Sequence, residues 1–521
     1  MEYRRLLATV VCVGVVLVST LGSRSAEAEH VVLVQPIVLC DDEGGGPAPM
    51  RLREAAVDRA YRRAGVDFCF AEPLAWNNTE ARDGLINLDR IVELAREEGV
   101  LKGQGEILNM FFVRAVDGRE GPLGRGQQGG SIVFIALAEE ARPEMEGFVL
   151  AHEAGHCLGL IHAVDDPAVS DDLVNLMGDG PFAERTAPEG LTDSQVQTVR
   201  ASQLVRPRTW YLKREEAKRA FLDETYEPFF SRLQRGEIEA FTQQRQREES
   251  LEAMRASARA IFQEAVLEFS ADEQAMLDAF IAALGERAGD YPLLTEQPWW
   301  FIKVRSDHCG GFAHTRGPYL IFSARHLGAM TEAFARGEDS RRWQALLAHE
   351  QMHVLQRLYP SRFASLYTEV FGFRHTSVPD HPDLVVRQLS NPDGLSGEWI
   401  VPLTGAAGEI SYWWPRTLLR LTGEVPVMGR DFEGVAVGLQ REGAGFTVRL
   451  DEAGEPVLAP LAQLAPFLDR FRIRSGKDHP NEIAAYLIAR LVEEGAASGA
   501  GSADPMLEAF ARWCLENLGR E

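Results

Sequence analysis

The chain has 521 residues, 45% of them hydrophobic, more than one core usually serves, so two or three domains are expected. With 54 basic against 77 acidic residues the formal charge is -23, which repels phosphate backbones and anionic membrane surfaces and excludes nucleic acid as a partner. The six cysteines are widely spaced and exclude a disulfide scaffold; Cys40 and Cys69 are either a pair or, equally, buried free thiols.

At the N-terminus Arg4 and Arg5 precede an apolar run from Leu6 to Leu21 and the small-residue site Ala26-Glu27-Ala28. This is the layout of an export signal, here 1–28, and it implies a secreted or periplasmic destination. The alternative is an uncleaved membrane anchor, since the run falls only a little short of a span. A membrane is thus a partner only if this segment stays attached. Val31 to Leu39 reads as a strand, Met50 to Ala64 as a helix stopped by Gly65, and Val66 to Ala71 as a second strand. Ile107 to Ala115 and Ser131 to Leu137 are two more strands, separated by a glycine-rich loop from Gly118 to Gly130, and a helix starts near Pro143.

Within that helix, His152-Glu153-Ala154-Gly155-His156 puts two imidazoles at positions i and i+4, on one face, so both reach one metal ion. Glu153 stands beside them, where it can hold a water and take its proton. Gly159 permits a turn that other residues avoid, and the turn returns His162 to the same point. Three neutral imidazoles with a fourth position open is a catalytic arrangement rather than a structural one.

The motif from His152 to His162, with Asn175-Leu176-Met177 after it, resembles the metzincin clan of zinc peptidases over residues 29–207. The resemblance implies that His152, His156 and His162 bind zinc, that Glu153 is catalytic and that Met177 floors the ligands. It also implies that an extended substrate adds to a sheet edge, for which Ser131 to Leu137 is the candidate. Asp165, Asp166, Asp171, Asp172 and Asp179 crowd the methionine turn; they could hold calcium, although such runs are more often solvated loops.

From 208 to 285 the composition of Glu, Arg, Gln and Ala suits long exposed helices, read as a helical connector or else as the opening of a second domain, 286–521. Strands return at Trp299 to Val304 and Tyr319 to Phe322, the latter a second candidate edge. A helix from Ser340 to Leu358 carries His349-Glu350-Gln351-Met352-His353. No glycine and third histidine follow it, so the third ligand comes from elsewhere. Asn481-Glu482-Ile483-Ala484-Ala485 is similar to the ligand helix of gluzincin peptidases, which makes Glu482 the choice, with Glu409 next; the competing reading of Glu482 is a first-turn carboxylate that favours the helix dipole. By the same resemblance Glu350 is catalytic, and Tyr412, His479 and Tyr486 are open candidates for stabilising a transition state.

The expected fold class is α+β: a metzincin-like mixed sheet with its active-site helix, a helical connector, then a gluzincin-like second domain that is α+β or mostly helical. The expected function is hydrolysis of peptide or protein substrates by zinc-activated water, with one or two zinc ions. The alternatives are a catalytically silent zinc-containing binding protein, or one active domain beside a pseudoenzyme. The sequence leaves the oligomeric state and the cleavage preference open.

Overall fold

The computed structural model describes residues 28–519 apart from 121–122, 139, 141, 170–173, 179–180, 248–249, 394–397, 406 and 496–503, and only the backbone of 120, 123 and 189. The chain is mixed α and β and forms two units, 1–208 and 209–520. The export signal and Asp171, Asp172 and Asp179 lie outside the described residues. Among the described residues no helix is long and apolar enough to cross a membrane.

In the first unit β1 (His30–Cys40) is the sheet's centre, because its apolar run is buried on both faces. Around it lie β2 (Val66–Phe70), β3 (Leu74–Asn77) and β4 (Leu108–Val113), all parallel to it. Helix α1 spans Glu54–Tyr61, shorter than the Met50 to Ala64 expected, and leads through a tight turn to Gly65, whose φ of 65° ends it. Alternation along β4 sends Leu108, Met110 and Phe112 to one core and Phe111 and Val113 to the other. The second core is closed by α2 (Leu88–Glu97), which presents Ile91 and Ala95. Beyond β4 come β5 (Leu123–Gly126) and β6 (Ile132–Ala136), in the order β4-β6-β5. This corrects the expected edge: β6 is paired on both sides, and antiparallel β5, read from sequence as loop, is the edge strand. Helix α3 (Pro143–Cys157) packs on the first core through Phe148 to Ala151, with proline at its start, where no N–H is missed. Its buried Glu146 is held by Arg51 and Arg53, each at 2.6 Å. Helix α4 (Asp193–Ala201) completes the unit, capped by Thr192 and Gln195.

The second unit begins with the stretch expected to be a connector. That stretch is built into its core: β7 (Thr209–Tyr211) pairs in parallel with β8 (Trp299–Val304), and Val266–Leu267 pairs with the other end of β8. Helices α5 (Arg214–Phe221), α6 (Arg235–Thr242), α7 (Leu251–Ala265) and α8 (Ala271–Arg287) bury Phe221, Phe241, Phe262 and Phe280. The sheet continues through β10 (Tyr319–Ser323) to β9 (His314–Arg316). Again the expected edge, β10, is internal, and the short antiparallel β9 lies outside it. Unlike β5, β9 has its edge covered, since Thr315 N–H donates to the Asp393 carboxylate at 2.7 Å.

After α9 (Ala324–Ala335) come α10 (Arg341–Leu358) and, far along the chain, α11 (Pro480–Glu494), which packs against it. The intervening residues supply the β part of the second unit. They form an antiparallel sheet of β11 (Trp399–Thr404), β12 (Ile410–Leu419), β13 (Phe432–Glu442) and β14 (Gly445–Val448), around Ile400, Trp414, Val435 and Val437. All five described cysteines are buried free thiols, so Cys40 and Cys69 do not pair.

Candidate metal centres

In the first unit one helical turn of α3 places His152 and His156 side by side, and Gly159, at φ +97°, turns the chain so that His162 meets them. One ring nitrogen from each lies within 4.8 Å of the others. His152 Nδ1 is 2.9 Å from the Leu176 carbonyl and His156 Nδ1 is 2.9 Å from the Leu160 carbonyl. Each carbonyl can only accept, so Nδ1 carries the hydrogen and Nε2 keeps a lone pair for a cation. Burial lowers the pKa of His152 to about 4 and also depresses that of His156, which keeps both neutral near pH 7.

Leu176 is held by a buried lattice of hydrogen bonds. Asn175 Nδ2 donates to Gln195 Oε1 at 2.8 Å, Gln195 Nε2 returns a bond to Asn175 Oδ1 at 3.2 Å, and Met177 N–H donates to that same oxygen at 2.9 Å. Met177 is 2% exposed.

Glu153 Oε2 accepts from the Gly126 N–H at 2.8 Å. Burial raises its pKa to about 7, with the Gly126 bond opposing, so it can both take and give a proton near neutrality. Strand β5 runs so close to α3 that a Cβ on Gly124 would lie 2.2 Å from Glu153 Cγ, and one on Gly126 would lie 2.2 Å from the Glu153 carbonyl oxygen. Only glycine fits there. The cleft between β5 and the histidines holds about 390 Å³ and is also lined by Ile161 and Asp165. Asp165 is not part of the histidine cluster, and Asp166 accepts from the Ala168 N–H at 2.9 Å. Among the described residues no metal-capable group includes either of them.

In the second unit α10 presents His349 and His353, and α11 brings Glu482 to them, with ligand atoms again within 4.8 Å of one another. The two Nε2 atoms are 3.2 Å apart, and each is 3.6 Å from a Glu482 oxygen. Donors at about 2.1 Å from a tetrahedral zinc ion stand about 3.4 Å from one another, so the set has the right span. Gln356 Nε2 donates to the Asn481 carbonyl at 2.9 Å, which turns its Oε1 to His353 Nδ1 at 2.8 Å and leaves His353 Nε2 as a lone pair facing Glu482. A lone pair facing a carboxylate is repulsive unless a proton or a cation lies between them. Burial lowers the pKa of His349 and His353 to about 3 and raises that of Glu482 well above the carboxylate range. Without a metal, then, burial favours the protonated form of Glu482.

Glu350 is 2% exposed, and its Oε2 is buried without a hydrogen-bond partner. Burial, then the charges of Asp393 and Glu482, raise its pKa strongly. This orphaned oxygen beside two histidines and a carboxylate is what a site for a cation and its water leaves when only protein atoms are counted. Both donor sets therefore fit zinc.

Glu409 is exposed and closes its own turn by accepting from the Ala407 N–H at 3.1 Å, so it stands outside the cluster. Of the three open candidates, Tyr486 lines the cavity, its ring centroid 4.7 Å from that of His349. His479 instead caps α11, accepting from the Asn481 N–H at 3.1 Å, and Tyr412 packs on Phe446 in the antiparallel sheet. Two residues with no sequence signal complete the site. Asn391 Nδ2 donates to Glu482 Oε1 at 2.6 Å, and Asp393, besides holding Thr315, accepts through its carbonyl from Asn481 Nδ2 at 2.9 Å.

No protein-family model and no curated protein matches this chain. Among solved structures it is similar to archaemetzincin from Methanopyrus kandleri, at 15% identity over 33% of this chain and 94% of that chain, with a TM-score of 0.21.

Proposed function

We propose that this chain is an exported zinc-dependent metallopeptidase with two hydrolytic centres, His152, His156 and His162 served by Glu153, and His349, His353 and Glu482 served by Glu350. The observation that carries the reading is the recurrence, on a helix of each unit, of a glutamate whose pKa is raised by burial next to histidines whose donor atoms converge with a third ligand. Export is supported by the charged and apolar N-terminal run.

Zinc bound at either cluster supplies a Lewis acid that polarises the peptide carbonyl and acidifies water. The residues of the chain do the rest. Glu153, aimed by the Gly126 N–H, takes the proton of the attacking water and delivers it to the leaving amine. The open edge of β5 can pair with an extended peptide. In the second unit Glu350 moves the proton, Asn391 and Gln356 fix the orientation of Glu482 and His353, and Tyr486 stands where a developing oxyanion can be met.

The test is zinc content per chain on the wild type, His156→Ala, His353→Ala and the double variant, with casein hydrolysis assayed with and without chelator. Two ions falling to one in each single variant, with chelator-sensitive hydrolysis, is the expected result. Zinc without hydrolysis of any protein supports a binding role, and a wild type without zinc overturns the reading.

A further inference from the structure

The cavity over the second cluster holds about 1000 Å³, and its charged lining is lopsided. In the segment before α11, Phe471 is buried in the core, and the exposed Arg472 and Arg474 line the cavity with Ile473 between them. Gly476, at φ +69°, then presses against α11 so tightly that a Cβ would lie 2.3 Å from the Tyr486 ring and 3.0 Å from Glu482 Cβ. This fixes Lys477 at the same wall. The segment is thus a built part of the site, pinned at both ends.

None of these three cations has an ion pair or a side-chain hydrogen bond among the described residues. The other lining charges are largely committed. Arg490 pairs with Glu494 at 2.7 Å and Asp504 at 2.6 Å, Asp478 accepts from the Thr417 hydroxyl at 2.8 Å, and Arg342 stacks on Trp343 at 4.3 Å. Asp393 is bound to Thr315, and Glu350 and Glu482 belong to the metal cluster. The carboxylates of Asp478 and Asp393, whose partners Thr417 and Thr315 are neutral, and that of Glu493 are the negative charges left to face the three. In a chain with a net charge of -23, three cations without an ion-pair partner on one wall of one cavity concentrate positive charge on that wall.

We propose that Arg472, Arg474 and Lys477 hold a carboxylate of the substrate, so that the second centre acts on peptides carrying an acidic group close to the bond it cleaves. The inference rests on the reading of that centre as hydrolytic. Guanidinium groups bind carboxylates through paired hydrogen bonds, and the carboxylate is either an acidic side chain or the peptide's own C-terminus.

The experiment uses the full chain loaded with zinc, with the first centre silenced by Glu153→Gln. Peptides that differ only by Glu or Gln beside the scissile bond, and by a free or amidated C-terminus, are compared in kcat/KM. Their binding to the further variant Glu350→Gln is followed by fluorescence polarisation. The expected result is a preference of about tenfold for one acidic form, in binding and in kcat/KM, that falls to parity in Arg472→Gln/Arg474→Gln and is reversed by Arg474→Glu. Which pair discriminates identifies the source of the carboxylate. Hydrolysis without any preference overturns the inference and leaves the peptidase reading intact. Discriminating binding without hydrolysis upholds the carboxylate-holding role of the three cations and removes the hydrolytic reading, and binding with no preference overturns the inference whatever the hydrolysis.

Discussion

The two candidate centres share one helical turn and finish it differently. The first takes its three histidines from eleven consecutive residues, lies at the surface and fixes two of its rings with backbone carbonyls. The second draws on α10, on α11 and on the loop of Asn391 and Asp393, is buried, and fixes His353 and Glu482 with side chains. A local site depends on a turn, whereas a distributed one depends on the whole unit being folded, and so the second should be the more sensitive to remote changes.

The comparison breaks first on the bases. Glu153→Gln and Glu350→Gln should each lower hydrolysis at their own centre by about 10² to 10⁴ fold with zinc retained. If one of them removes all measurable activity and the other none, a single unit is the enzyme. Next in size is zinc removal. Saturating zinc should stabilise the second unit by about 4 kcal/mol at a thousandfold excess over its Kd, since the cation replaces a proton in a buried cluster. Equal melting with and without chelator would contradict this.

The orienting groups sharpen the contrast. Gln356→Ala and Asn391→Ala should weaken zinc binding at the second centre by about 10 to 100 fold in a chelator competition. No side-chain substitution deletes the carbonyls that orient the rings at the first centre. The smallest effect is one of pH. Glu482 is a buried acid whose folded pKa lies above its unfolded value of about 4.3, so its contribution to metal-free stability is complete below that value and fades as pH rises toward the folded pKa. Metal-free Glu482→Gln should therefore gain on the wild type in melting temperature as pH rises above about 4.3, a gap that zinc closes; parallel curves would rule the linkage out.

What the sequence shows plainly is what is contiguous. His152 to His162 and His349 to His353 are legible because helical spacing alone brings each group to one face. Glu482 is legible through its neighbours in the Asn-Glu-x-x-Ala pattern. Asn391 and Asp393 are not, because a loop residue that reaches a partner 91 positions away leaves no periodic trace. Strand β5 was hidden by the glycines the site demands: Leu-Gly-Arg-Gly has the composition of a loop, yet a side chain at either glycine would collide with α3. The region 208–285 has the composition of exposed helices, but six of its seven phenylalanines are core residues, and Thr209–Tyr211 is too short to signal a strand.

Gln195 has one further role. Its side chain closes the capping box of α4 by accepting from the Thr192 N–H at 3.0 Å, and the same oxygen accepts from Asn175, whose own oxygen holds Met177. The first turn of α4 and the carbonyl that aims His152 therefore open together or not at all. Amide exchange at the start of this helix, which contributes no residue to the metal cluster, should slow when zinc is added, so that its protection becomes a remote gauge of occupancy.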